Sequence, residues 1–148
     1  MAAISAEVKD HVNRIKMGFV ATVTPDNKPS LSPKGSVIVW DEGHLAFANI
    51  RSPNTVANLR ANPAIEINVV DPLLRKGYRF AGAAAVLDSG EEFETMASHF
   101  KKTGIKSEIS SVVKITVDEI RDITSPLYDL GMSEEEMKSK WKKIYSES

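Results

Sequence analysis

The chain of 148 residues contains no cysteine. Disulfides, thiolate nucleophiles and every zinc or iron–sulfur centre built on Cys are therefore excluded, which accords with a reducing intracellular compartment. No sign of charge dominates either. The 19 Lys and Arg against 20 Asp and Glu leave a formal net charge of −1, so no global field draws in nucleic acid or anionic lipid. No apolar run approaches the roughly 20 residues of a membrane helix. At the N-terminus, Glu7, Lys9, Asp10, His11 and Arg14 interrupt the stretch where a signal peptide would need an apolar core. The sequence thus predicts a soluble, cytoplasmic protein with neither a membrane nor a nucleic-acid partner. Missing too are a Walker loop, a Gly-x-Gly-x-x-Gly dinucleotide fingerprint and a Gly-x-Ser-x-Gly nucleophile elbow. His11, His44 and His99 lie far apart, with no carboxylate at ligand spacing, so no metal site is expected.

What is present is an ordinary globular balance, 42% hydrophobic and 26% charged, over a length that suits one domain spanning 1–148. Val8, Val12 and Ile15 fall at helical spacing behind a Ser5 N-cap, predicting a helix from Ala6 to Met17. The β-branched run Phe19 to Thr24 reads as a strand, a turn follows at Pro25 to Lys28, and a second extended run leads from Pro29 toward Trp40. After the turn Asp41-Glu42-Gly43, His44 to Asn49 returns as a third strand, which suggests an antiparallel meander. A short helix begins at Ser52-Pro53 and stops at Asn62-Pro63. Ile65, Ile67 and Val69 alternate with polar residues as a strand, and Tyr78 to Leu87 forms another. In the latter, the small run Gly82 to Ala85 suggests close approach by a backbone or a ligand. A helix with Phe93, Met96, Ala97 and Phe100 on one face precedes a last strand, Ser111 to Val117. In the tail, about 125–148, Ser133 and Glu136 form a capping box ahead of a Met137, Trp141, Ile144 stripe. The sum is a β-rich α+β domain whose six strands can close into a barrel.

Two segments stand out chemically. Arg51-Ser52-Pro53-Asn54-Thr55 joins a helix N-terminus, with its free N–H groups and partial positive charge, to a guanidinium, two hydroxyls and an amide. No acidic residue occupies that first turn, so an external anion such as a phosphate is one reading; a plain Ser-Pro cap beside a solvated arginine is the commoner one. The second segment is Ser32-Pro33-Lys34-Gly35-Ser36. Proline inside a strand belongs on an edge or at a bulge, and Gly35 permits close approach. Freed backbone groups there suit a planar ring, although an irregular edge strand with a surface lysine has the same composition. Arg75, Lys76 and Arg79 form a small basic cluster, read either as a solvated loop or as a steering patch for an anion.

The order of these pieces resembles the pyridoxamine-phosphate-oxidase-like flavin-binding proteins, especially their short flavin-mononucleotide-binding members. The carriers are Gly18 to Val23, Pro29 to Ser36, Phe47 to Leu59 and Tyr78 to Ala84, spread over Val12 to Val117. The resemblance implies a six-stranded antiparallel split β-barrel of Greek-key type with peripheral helices. It implies flavin mononucleotide (FMN) held between the subunits of a homodimer, and an FMN-dependent oxidoreductase with an unknown small-molecule or protein redox partner. By the same resemblance the phosphate falls to Arg51, Ser52, Asn54 and Thr55, and the ring and ribityl chain to Ser32, Pro33, Lys34, Gly35, Ala48, Asn49 and Ile50. A non-enzymatic flavin carrier or electron-transfer protein, and a barrel taking deazaflavin or haem instead, are the alternatives. The tail lacks the Arg and His pair of the vitamin-processing oxidases, ending in Trp141-Lys142-Lys143-Ile144-Tyr145, which sets pyridoxamine phosphate aside as substrate.

Overall fold

A computed structural model describes residues 1–51 and 53–147. The apolar alternation of the strands is what builds its centre. Helix α1 (Ala6–Ile15) leads into strands β1 (Gly18–Val23) and β2 (Pro29–Lys34), followed by β3 (Ile38–Asp41) and β4 (His44–Asn49). Helix α2 (Pro53–Ala61) precedes β5 (Ala64–Asp71) and β6 (Lys76–Leu87). Then come α3 (Glu91–Lys102), the long β7 (Ser111–Thr124), a short 3-10 turn at Pro126–Tyr128 and α4 (Glu134–Ser146). All strands pair antiparallel in one seven-stranded sheet of order β2-β1-β5-β6-β7-β4-β3. Its inward residues, Val20, Leu45, Phe47, Ile67, Phe80 and Ile115 among them, form one buried cluster with Val8 and Val12 of α1.

The strand count differs from the expected six because the run from Pro29 toward Trp40 is two strands. The chain leaves β2 at Gly35, and Val37 N–H donates to Lys16 C=O at 2.9 Å before β3 begins. This detour carries β3 to the opposite end of the sheet from β2, so β1 to β4 form two hairpins and not one meander. It also closes the barrel. A Cβ on Gly18 would lie 2.8 Å from Val37 Cγ2, so only glycine lets the start of β1 meet the start of β3. β2 and β3 do not pair with each other, which leaves the barrel split.

Helix boundaries follow local chemistry. Ser5 Oγ accepts from Val8 N–H at 3.3 Å, and α1 ends earlier than Met17, with Lys16 in the left-handed conformation at φ 63°. The run Gly82 to Ala85 is small because a backbone approaches: a Cβ on Gly82 would collide with Thr116 C=O, beside a bulge in the β6–β7 ladder. β7 continues to Thr124, past the Val117 expected, still paired with β6. Ala46 and Ala48 point outward from β4, and their small size admits Met96 and Phe100 of α3, so β4 is covered on both faces. Met137 buries the first turn of α4, whose Ser133–Glu136 capping box is formed.

Candidate functional site

Strand β4 ends at Asn49, and the chain passes through Ile50 and Arg51 directly into α2. Ser36 joins this segment to the other predicted one: its Oγ accepts from Ala48 N–H at 3.1 Å. The two stretches that the sequence singles out, 32–36 and 48–55, thus meet at the mouth of the β2–β3 detour. Ser36 is the residue that brings them together, and its only signal in the sequence is a small hydroxyl beside Gly35.

The predicted residues differ in what they present. In β2, strand alternation sends Ser32 and Lys34 inward and Pro33 outward, opposite Phe19. β2 is indeed a sheet edge, as Pro33 requires. Lys34 is buried and its ammonium donates to Ser32 Oγ at 3.0 Å. Burial lowers its pKa below the usual lysine value. Gly35 faces open space, with nothing within 4 Å of where a Cβ would stand. Ala48 is packed beneath α3, so it offers a ligand its backbone only.

Asn49 is fixed by an argument about protons. Ser110 Oγ–H donates to Asn49 C=O at 3.0 Å, so its oxygen must accept from the Asn49 side chain. The amide nitrogen therefore faces the serines, donating to Ser110 Oγ at 3.2 Å and Ser111 Oγ at 3.1 Å. The amide clamps the end of β4 to the start of β7, and Oδ1 is buried without a partner among the described residues.

Beyond β4, Ile50 and Arg51 are exposed, as is Asn54, while Thr55 is buried in the first turn of α2. Ser52 lies outside the described residues. No acidic residue occupies that turn. Pro53 has no N–H, so the free first-turn donors are the Asn54 and Thr55 amides. α2 is held on the barrel by Asn58, whose Nδ2 donates to Thr22 Oγ1 at 3.1 Å between two buried residues. Guanidinium, amide and hydroxyl donors around a helix start with no competing carboxylate form a donor set that fits a phosphate. Open space before Gly35 fits a flat ring beside it.

The basic cluster resolves the other way. Arg75 stacks 3.6 Å above the Trp141 ring and donates to Tyr145 Oη at 2.7 Å. Lys76 pairs with Glu134 at 2.9 Å, and Arg79 donates to Asn68 Oδ1 at 3.1 Å. These cations anchor α4 and β5 and do not steer a ligand. Each histidine also has a local role: His11 Nε2 meets Val69 C=O at 3.0 Å, His44 pairs with Asp41 at 2.6 Å, and His99 stands edge-on to Trp40. Among the described residues no group of three His, Asp or Glu is placed to hold a metal, and no helix is long and apolar enough to cross a membrane.

Comparison with known proteins agrees with this arrangement. The family profile described as pyridoxamine 5'-phosphate oxidase matches residues 4–124. No curated protein matches the chain. Among solved structures, HupZ of Group A Streptococcus is 30% identical, covering 82% of this chain and 95% of its own, with a TM-score of 0.75. An FMN-binding protein from Syntrophomonas wolfei has the same fold at 16% identity, covering 80% and 84% of the two chains, with a TM-score of 0.68. So does an F420 reductase, at 18% identity, 80% and 98% coverage and a TM-score of 0.62. A profile that spans the barrel from before α1 to the end of β7 leaves one conclusion: this chain belongs to the pyridoxamine 5'-phosphate oxidase family.

Proposed function

We propose that the chain is a flavoprotein that binds FMN non-covalently between two copies of itself and serves as an FMN-dependent oxidoreductase. The observation that carries the reading is the acid-free start of α2, with Arg51, Asn54 and Thr55 around it, joined through Ser36 to the open backbone at Gly35. One elongated ligand with an anionic end and a flat end accounts for both features. Membership of a family with FMN-binding structural neighbours supports the choice of FMN.

In this reading Arg51, Asn54 and Thr55 hold the phosphate, and Ser52 joins them at the cap position. The backbone of Pro33, Lys34 and Gly35, with that of Ala48, Asn49 and Ile50, lies along the ring and ribityl chain. When bound, the flavin supplies hydride or electron transfer at its ring nitrogen N5. The protein's part is to bind, orient and exclude water. Lys34 contributes a desolvated positive charge inside the edge strand, which favours negative charge nearby. The outward face of the β1–β2 hairpin supports a dimer: Phe19 and Leu31 are 44% and 69% exposed, with Ile50 at 39%.

The test is the visible absorption spectrum of the purified protein, with release of the chromophore and its identification. Twin flavin bands and released FMN support the reading, whereas a haem or deazaflavin spectrum, or a colourless protein that ignores added FMN, refutes it. Thr55→Val should weaken FMN binding by about 1–3 kcal/mol if its hydroxyl bonds a charged oxygen. Titration of apoprotein with FMN measures this, and unchanged affinity removes Thr55 from the site.

A further inference from the structure

Helix α1 sorts its polar residues by periodicity. Val8 and Val12 face the barrel interior. Glu7, Asp10, His11 and Arg14 line one flank, whereas Lys9, Asn13 and Lys16, spaced i, i+4, i+7, line another. Against that second flank lies a cleft of about 620 Å³, bounded by β3 and the C-terminal end of α3. Its apolar wall consists of Ile38, Trp40, Phe100 and Ile105, and one end reaches Gly35 and Ser36.

The chemistry of the lining is one-sided. No Asp or Glu borders this cleft, and neither Lys9 nor Lys16 has an ion-pair partner among the described residues. The His99 ring stands edge-on to Trp40 with centroids 5.4 Å apart, which holds the indole against the cleft. Asn13 is kept in place because its Oδ1 accepts from Val39 N–H at 2.9 Å, and this bond also covers the free edge of β3. The volume lies within the roughly 300–1,000 Å³ of small-molecule sites.

We propose that this cleft binds a small organic anion with a flat apolar body, its charge held by Lys9 and Lys16 and its body against Trp40. As a binding site the cleft stands alone. Its standing as a substrate site rests on the flavin reading, since Gly35 and Ser36 adjoin the segment assigned there to the ring.

The two tryptophans of the chain permit a direct test on the full-length protein. The indole N–H cross-peaks of Trp40 and Trp141, assigned with Trp141→Phe, are followed by NMR while 4-nitrobenzoate or uncharged 4-nitrobenzyl alcohol is added. The anion should saturably shift the Trp40 signal, leave Trp141 unmoved and bind more tightly than the alcohol. The double variant Lys9→Gln/Lys16→Asn keeps a residue that tolerates the left-handed backbone at position 16 (φ 63°). It should weaken the anion by about fivefold to tenfold and leave the alcohol unchanged. Absence of a saturable Trp40 shift, or equal affinity for both probes in both proteins, overturns the proposal. FMN is titrated separately. If FMN displaces 4-nitrobenzoate from Trp40, the cleft is the flavin's own site and a second ligand site is refuted. If the anion binds where FMN does not, the flavin reading fails and the cleft remains.

Discussion

Thr22→Val is the substitution that asks whether α2, and the site it carries, is held by a single buried hydrogen bond. Thr22 and Asn58 are 3% and 5% exposed, and Asn58 Nδ2 donates to Thr22 Oγ1 at 3.1 Å. Valine has nearly the shape of threonine, so no cavity forms; the loss is that the buried amide is left without its acceptor. Such an orphaned donor costs about 1–3 kcal/mol. At about 2.1 cal/mol/K per residue, unfolding entropy for a chain of 148 residues is about 0.3 kcal/mol/K, so Tm should fall by about 3–10 °C. Asn58→Leu alone should also destabilise, by stranding the hydroxyl. The double variant replaces both polar partners by apolar ones, and its cost should be smaller than the sum of the single costs by about 1–2 kcal/mol. Thermal melts followed by circular dichroism, with urea titrations to check that the m-value is unchanged, measure the cycle. Because α2 carries Asn54 and Thr55, Thr22→Val should also weaken FMN binding. Additive single effects, or a Thr22→Val melt that matches wild type, would refute the reasoning.

Two glycines should behave oppositely. A Cβ on Gly77 would collide with Val69 C=O, so Gly77→Ala should lose at least about 3 kcal/mol or fail to give soluble protein. A Cβ on Gly35 meets nothing within 4 Å, so Gly35→Ala should melt like wild type and weaken FMN binding in an equilibrium titration. Acid stability should depend on Asp71. Burial raises its pKa, but the backbone N–H groups of Leu74 and Leu73 and the Arg14 guanidinium outweigh burial and hold it below the usual carboxylate range. A pKa depressed by folding contributes stability above the unfolded value of about 3.9 and loses it as pH falls through the folded value. Asp71→Asn should therefore destabilise at pH 7 and narrow the difference between pH 7 and pH 3 in urea titrations; an undiminished difference would assign the acid sensitivity elsewhere.

Much of the fold is legible because it is local. Ser5 and Ser133 announce their helices, the alternation of Ile65, Ile67 and Val69 marks a half-buried strand, and Pro33 demands an edge. Those signals depend only on neighbours within a turn or a pleat. The break at Gly35–Val37 is not legible, because extended backbone continues on both sides of it and its cause is Lys16 C=O, distant in the chain. The same limit hides the role of Arg75, whose partners Trp141 and Tyr145 lie on the last helix. Asn49 shows it within the site: a polar residue at the end of a strand reads equally as a ligand contact or a clamp, and Ser110 settles that its amide clamps β7.

By itself, then, the sequence determined the element types, the barrel class, the absence of cysteine chemistry and the acid-free start of α2, since each depends on composition or short-range periodicity. The tertiary structure alone decided that β2 and β3 stand at opposite ends of the sheet and that Ser36 ties residues 32–36 to 48–55. It also decided that α1 turns its lysines toward the cleft at β3. Those are matters of long-range register, where contacts between distant segments compete with local preference and only the packed chain shows which prevailed.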